Sequence, residues 1–574
     1  MKSKKTPHIA TKGTGNNSGA TKSSKQTERS GNALRTRLPL LPIPVLAFVL
    51  IWLWASYCQG DVFRMARENS FFAFDSLLMN YELCKPQGWL WAIGRALLML
   101  FRYPWIGGAV LALMLTMSCW LLGYILRLTP RWRWLQWTPL VAYTGIVTYA
   151  GLNNYYEVET GYAMAIPLAV FVLLLALGVG VRLLTRKPAP ALVGLPKDET
   201  STQNLLQIAV IAGLVLAVPM LYGSMSRSYV RPIAHMQVAV MEQDWDEVIE
   251  TAEANAEESY RPFAAQYAIA LVQTGQIADR MFNIRLDYDS LYIVGMNGNR
   301  HDALNMYLME CDYHAGLVQT AYHHAMENMA MEGPTLRNLK MLCKTALLRG
   351  EWEVAEKYLT ILDKVPFEGD FVEKYKAMLR NNDKINEDAE FAVIRSTEPL
   401  RDNFENRFIQ PVFLGYTATL YEGRSINALY NSMMVNIYTK TMQEFLMRSQ
   451  ALEGQTPPTC ISQALALMSG KQPEILNHFN GVNYYCGDLQ SFLAETQQYI
   501  QPRPGITEEE KAELLKIGIT PSGSDSLISS ENRALHARAL FPKYKGYYPY
   551  YYFFGNLKAT KKKNATESSS AGVN

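Results

Sequence analysis

Four carboxylates recur at seven-residue intervals, Asp61, Glu68, Asp75 and Glu82. Seven residues bring a helix back to nearly the same face, so the spacing predicts an acidic stripe beside Phe63, Phe71, Phe72 and Phe74. An outward carboxylate of this kind could act as a general base, as in membrane glycosyltransferases that use lipid-linked sugars and carry acids in their first exported loop. A solvated helical face explains the same spacing without chemistry, and no nucleophile, metal set or phosphate loop stands beside it. Cys311, His314, His323 and His324 could be drawn as metal ligands. His323 and His324 are neighbours, however, and neighbours on a helix point to different faces, so neither a metal nor another cofactor is expected. The seven cysteines form no C-x-x-C. Cys58 with Cys84, and Cys460 with Cys486, could pair in an oxidising compartment, with free buried thiols the default.

The elements that would hold the acids begin in a membrane. Residues 1–36 form a basic tail whose only acid is Glu28, too polar to build a core. Five apolar runs follow at about 38–57, 104–126, 134–152, 163–184 and 205–222. Each approaches the roughly 20 residues a helix needs to span about 30 Å of hydrocarbon. The first holds Pro39, Pro42 and Pro44 and lacks a signal-peptidase site around Cys58, so it reads as a retained anchor. The run 89–101 is short for a crossing and reads as interfacial or re-entrant; as a sixth span it would reverse the side of everything that follows.

Basic residues choose the orientation, because Lys and Arg near span ends stay cytoplasmic. They fall in the tail, at Arg127, Arg131 and Arg133, and at Arg182, Arg186, Lys187 and Lys197, whereas 153–159 has none. Five spans then place residues 37–223 in the bilayer and export 224–557, leaving 558–574 as a polar tail. Apart from Arg182 at an end, the spans carry almost no ionisable side chain, which argues against a pump or coupled transporter.

The exported half reads as all-α, made of short amphipathic helices between Gly, Asp or Asn turns. Its clearest unit, residues 334–366, resembles a tetratricopeptide repeat: Gly350 at the turn, Trp352 as a wedge between paired helices, and small Ala355 at their close approach. The turn anchor recurs at Trp245, at Gly275 before Ile277, and at Tyr313. Arg280 stands where a small residue is expected, and Val248 and Gly316 replace Ala, so the units are degenerate. Such a solenoid should fold alone and offers a concave face to a protein or peptide. Thr507-Glu508-Glu509-Glu510 predicts a capping box, and the run from Tyr544 to Phe554 predicts aromatic packing on the last helices.

The whole chain has 574 residues, 49% hydrophobic and 19% charged, which excludes a disordered protein. Before Ser224 there are 21 basic residues against 9 acidic, and after it 34 against 43, so the halves face different surroundings. The basic charge flanks apolar runs, so no nucleic acid is expected as a partner. The loop Lys85-Pro86-Gln87-Gly88-Trp89, the run Tyr103-Pro104-Trp105-Ile106-Gly107-Gly108, the degenerate repeats and the Tyr-rich close together resemble an uncharacterised family of bacterial membrane proteins. The resemblance implies a multispan N-terminal half, a repeat-like C-terminal half and a bacterial inner membrane, and transfers no activity. The expectation is an all-α protein whose partners are the lipid bilayer and an envelope protein or peptide. The alternative is an envelope glycosyl- or acyl-transfer enzyme using one of the four acids.

Overall fold

The computed structural model describes residues 43–126, 130–156, 159–185, 213, 228–257, 260–286, 292–294, 300–302, 306–398, 425–522 and 526–555. It is almost wholly helical, and among the described residues strand pairing is limited to two short antiparallel ladders.

The N-terminal half contains α1 (Ile43–Leu53), α2 (Gly60–Glu68), α3 (Ser76–Leu83), α4 (Gly88–Leu98), α5 (Pro104–Leu126), α6 (Thr138–Ala150) and α7 (Tyr162–Thr185). Helix α5 and residues 162–184 of α7 are each 23 residues long and apolar enough to cross a membrane. A third crossing would be the bent pair in which α1 runs on through a π turn at Trp54–Cys58, then breaks by 61° into α2. The break has a chemical sense. Asp61, Arg64, Arg67 and Glu68 cluster in α2, and charges of that density are expelled from hydrocarbon.

The predicted third span does not appear as one long helix. Residues 130–137 are a 3₁₀ segment, Pro139 starts α6, and Gly151 with φ 59° ends it after 13 residues. That is about 20 Å at about 1.5 Å per residue. The predicted fifth span, 205–222, lies outside the described residues. In the run 89–101, α4 passes into a 3₁₀ turn at Met99–Arg102 before Pro104 opens α5, so it is a short helix.

The C-terminal half is built of antiparallel helix pairs: α8 (Val230–Glu242) with α9 (Trp245–Ala254), α10 (Arg261–Gln273) with α11 (Ile277–Arg280), α12 (Leu308–His314) with α13 (Val318–Glu332), and α14 (Leu336–Leu348) with α15 (Trp352–Leu362). A further pair is Ile426–Thr439 with Met442–Ser449. One turn joins the members of every pair. The first helix ends on a left-handed residue, Gln243, Gly275, Gly316, Gly350 or Lys440. The next amide then donates to the carbonyl five residues back: Asp244 to Ala239, Gln276 to Leu271, Leu317 to Asp312, Glu351 to Ala346 and Thr441 to Asn436, at 2.8–2.9 Å. This is the Schellman bond, which satisfies a carbonyl the helix end would leave bare.

The turns correct two expected anchors. Tyr313 is fully buried but lies in α12, three residues before left-handed Gly316, so the position matching Trp245 and Trp352 is Val318, and the small residue of that pair is Ala321. Trp352 is 39% exposed and does not wedge; buried Ala355, Tyr358, Leu359 and Leu362 make the contact with α14. Arg280 marks a real irregularity, since α11 stops after four residues and Arg280 turns to Glu253 at 2.8 Å.

The two halves share a core. Phe71 and Met79 pack in one apolar cluster with Leu336, Leu339 and Leu342. Backbone bonds cross as well: the Leu336 amide donates to Ser70 and the Phe74 amide to Lys364, both at 3.0 Å. The C-terminal half is therefore not built to stand alone. At the far end, the helix Tyr548–Phe554 buries its rings against Phe282, Tyr438 and Phe492, the packing its composition predicts.

Candidate functional site

The acidic residues do not form one stripe. Helix α2 ends at Glu68, the chain runs in non-helical form through 69–75, and α3 begins a new helix, so the seven-residue period spans two elements. Each acid is nevertheless engaged by a cation.

Glu68 lies in a buried network. It contacts Arg67 of its own helix and Lys340 of α14 at 2.8 Å, and Glu368 takes both Arg67 and Lys340. Burial pushes the Glu68 carboxyl up, but Lys340 and Arg67 outweigh it and hold the group below its ordinary range. Asp75 caps α3 by accepting from the amides of Leu77 and Leu78 and pairs with Lys364. Glu82 is buried beside Lys85 at 2.8 Å and Arg95 at 3.2 Å, and Arg95 also donates to Glu159 at 2.6 Å. Three of the four acids thus face the C-terminal half or its cations, and the fourth ties α3 to α4 and to the segment before α7.

Asp61 is the exception in exposure. It lines an open cleft of ≈ 470 Å³ where the end of the α1 arm meets the start of α8, together with Tyr57, Arg231, His235, Thr251 and Asn255. Its Oδ2 lies 2.7 Å from His235 Nδ1, and His235 Nε2 lies 2.9 Å from Glu247. An imidazole between two carboxylates donates from both nitrogens only when protonated. Burial lowers the His235 value, but Glu247 and Asp61 raise it further, so the net shift is upward. A ring held this way is a charged clamp and has no lone pair with which to activate a nucleophile.

Three of the four residues that could be drawn as metal ligands have other partners. His324 pairs with Asp312 at 2.8 Å, His323 with Glu327 at 3.1 Å, and His314 packs beneath Trp245 with Gln273 at 2.9 Å from its Nδ1. Burial drives the His314 value down to about 4, which suits a neutral core ring. Among the described residues no group of three or more His, Cys, Asp or Glu is placed to hold a metal. All seven cysteines are free thiols, including Cys58, Cys84, Cys460 and Cys486.

Reading the sequence missed the partners Arg67, Lys340, Glu368 and His235, and the cleft residue Arg231. Arg67 carried no local signal, since adjacent residues on a helix point to different faces and its pairing with Glu68 and Glu368 is set by the fold. His235 and Lys340 carried none, because their partners lie 174 and 272 residues away.

No curated protein and no solved structure matches the chain. A family model matches residues 36–198 and 192–555, which takes in both the apolar helices and the helix pairs. The chain belongs to DUF6057, a family of unknown function.

Proposed function

We propose that the chain is a multi-pass protein of a bacterial inner membrane, with five spans and a cytoplasmic N-terminus. Its helix-pair half lies on the periplasmic side as a tetratricopeptide-like solenoid that grips an envelope protein or peptide. The observation that carries this reading is the use of the acid row. Asp61, Glu68 and Asp75 pair with His235, Lys340 and Lys364, so the segment leaving the first apolar helix is fastened to the helix pairs. A repeat array held against the bilayer at one end suits a scaffold, because stacked pairs present an extended surface and need no chemistry of their own.

One observation favours the transfer-enzyme reading, namely that Asp61 faces an open cleft. The two readings separate in one experiment on the full chain. A phosphatase fused after Gly350 should be active, and crosslinking followed by mass spectrometry should recover a defined envelope protein on the helix pairs. If Asp61→Asn abolishes the envelope phenotype of a deletion strain while insertion and crosslinked partners persist, the scaffold reading fails and the enzyme replaces it.

A further inference from the structure

The cleft beside Asp61 has an occupant class written in its charges. Its walls come from the end of the α1 arm, the start of α2, and α8 and α9, and its cation is Arg231, exposed and with no ion-pair or hydrogen-bond partner among the described residues. Asp61 lines the same cleft. Its Oδ2 is taken by His235, and among the described residues its Oδ1 accepts no hydrogen bond, so one carboxylate oxygen still has lone pairs to offer. The Asp61–His235–Glu247 clamp carries a net single negative charge when the ring is protonated, and Arg231 balances it. The cleft is thus neutral in sum and divided in sign.

A simple anion would meet the carboxylates, and a simple cation would meet Arg231. A zwitterion carrying a phosphate and a primary ammonium satisfies both, the phosphate at the guanidinium and the ammonium at Asp61 Oδ1. The place adds the rest. The cleft opens at the end of a helix that belongs to a candidate span, beside Tyr57, which is 78% exposed and of the type that settles at the headgroup layer. A volume of ≈ 470 Å³ takes a headgroup and leaves acyl chains outside.

The geometry points to a binding site for the headgroup of an aminophospholipid of the phosphatidylethanolamine type, held between Arg231 and Asp61. This rests on the membrane reading above. That reading is checked separately, by whether the chain needs detergent to leave the membrane fraction.

The test uses the full-length protein in nanodiscs of mixed phosphatidylethanolamine, phosphatidylcholine and phosphatidylglycerol, released into native mass spectrometry. Phosphatidylethanolamine should be retained about tenfold over the other two, because the choline head has no N–H to donate and the glycerol head has no cation. Arg231→Gln should remove that preference and Arg231→Lys should restore part of it, with unchanged melting in both because the side chain is exposed. Free phosphoethanolamine at millimolar concentration should not displace the lipid. Equal retention of the three lipids, a preference that survives Arg231→Gln, or displacement by the free headgroup would each overturn the proposal.

Discussion

Glu68 shows what the acid row does at the scale of a residue. A carboxylate kept for proton transfer could lose its charge without loss of fold, whereas Glu68 holds the buried cations Arg67 and Lys340 across two halves of the chain. Glu68→Gln leaves those cations short of one partner, so unfolding in detergent should show a loss of about 3 kcal/mol. Asp75→Asn keeps a capping oxygen and gives up only an exposed pair, so it should cost clearly less. Equal, negligible losses would detach the row from its structural role. The His235 clamp predicts a pH dependence. The folded His235 value is raised above its ordinary 6.5, so its contribution is complete below that pH and fades as pH rises through the folded value. Glu247 is lowered from its ordinary 4.5, chiefly by its hydrogen bond to His235, so its contribution is present above that pH and is lost on acidification through the folded value. The clamp should therefore be tightest between about 4.5 and 6.5. Melting of the wild type should fall more between pH 5.5 and 8.5 than melting of His235→Asn, and parallel pH profiles would show that the clamp contributes nothing.

At the scale of an element, the recurring object is the turn between paired helices. It needs a left-handed residue, and Gly supplies it at 275, 316 and 350 while Gln243 and Lys440 supply it with a side chain. The cost of adding a Cβ depends on what it meets. At Gly350 it would find only the Trp352 ring at 3.6 Å, ordinary contact, so Gly350→Ala should cost about 1 kcal/mol of conformational strain. At Gly316 it would meet the Glu398 backbone nitrogen at 2.6 Å, which cannot move aside cheaply. Gly316→Ala should therefore destabilise clearly more than Gly350→Ala by thermal denaturation; the reverse order would show that the Gly316 turn is not packed against residues 397–398.

For the molecule as a whole, the question is whether the halves are separable. A chain starting near Met225 would lose Phe71, Met79 and the Ser70 and Glu68 contacts that complete the core around Leu336 and Lys340. Such a fragment should aggregate or bind a hydrophobic dye when expressed alone. Co-expression with residues 1–224 should recover a soluble-in-detergent complex. A monomeric, cooperatively melting fragment would restore the independent domain expected from the repeats.

Much of this was readable along the chain because it depends on local chemistry. The helical class follows from apolar spacing, α5 and α7 from unbroken hydrophobic length, the capping box at Thr507 from its own four residues, and the turn at Gly350 from the one residue type that is at ease with φ 73°. The turns at Gln243 and Lys440 were silent because neither residue type announces a left-handed backbone. The acid row had the right period and the wrong element, since period alone cannot see the break at Asn69. What three of the four acids do was settled by partners 174 to 289 residues distant. Lys340 reaches Glu68 and Lys364 reaches Asp75 only after the helix pairs fold back on the segment behind the first apolar helix. Sequence encodes which groups carry charge; which charges meet, and whether they are spent on fold or left for chemistry, is decided when desolvation forces each buried one to find its opposite.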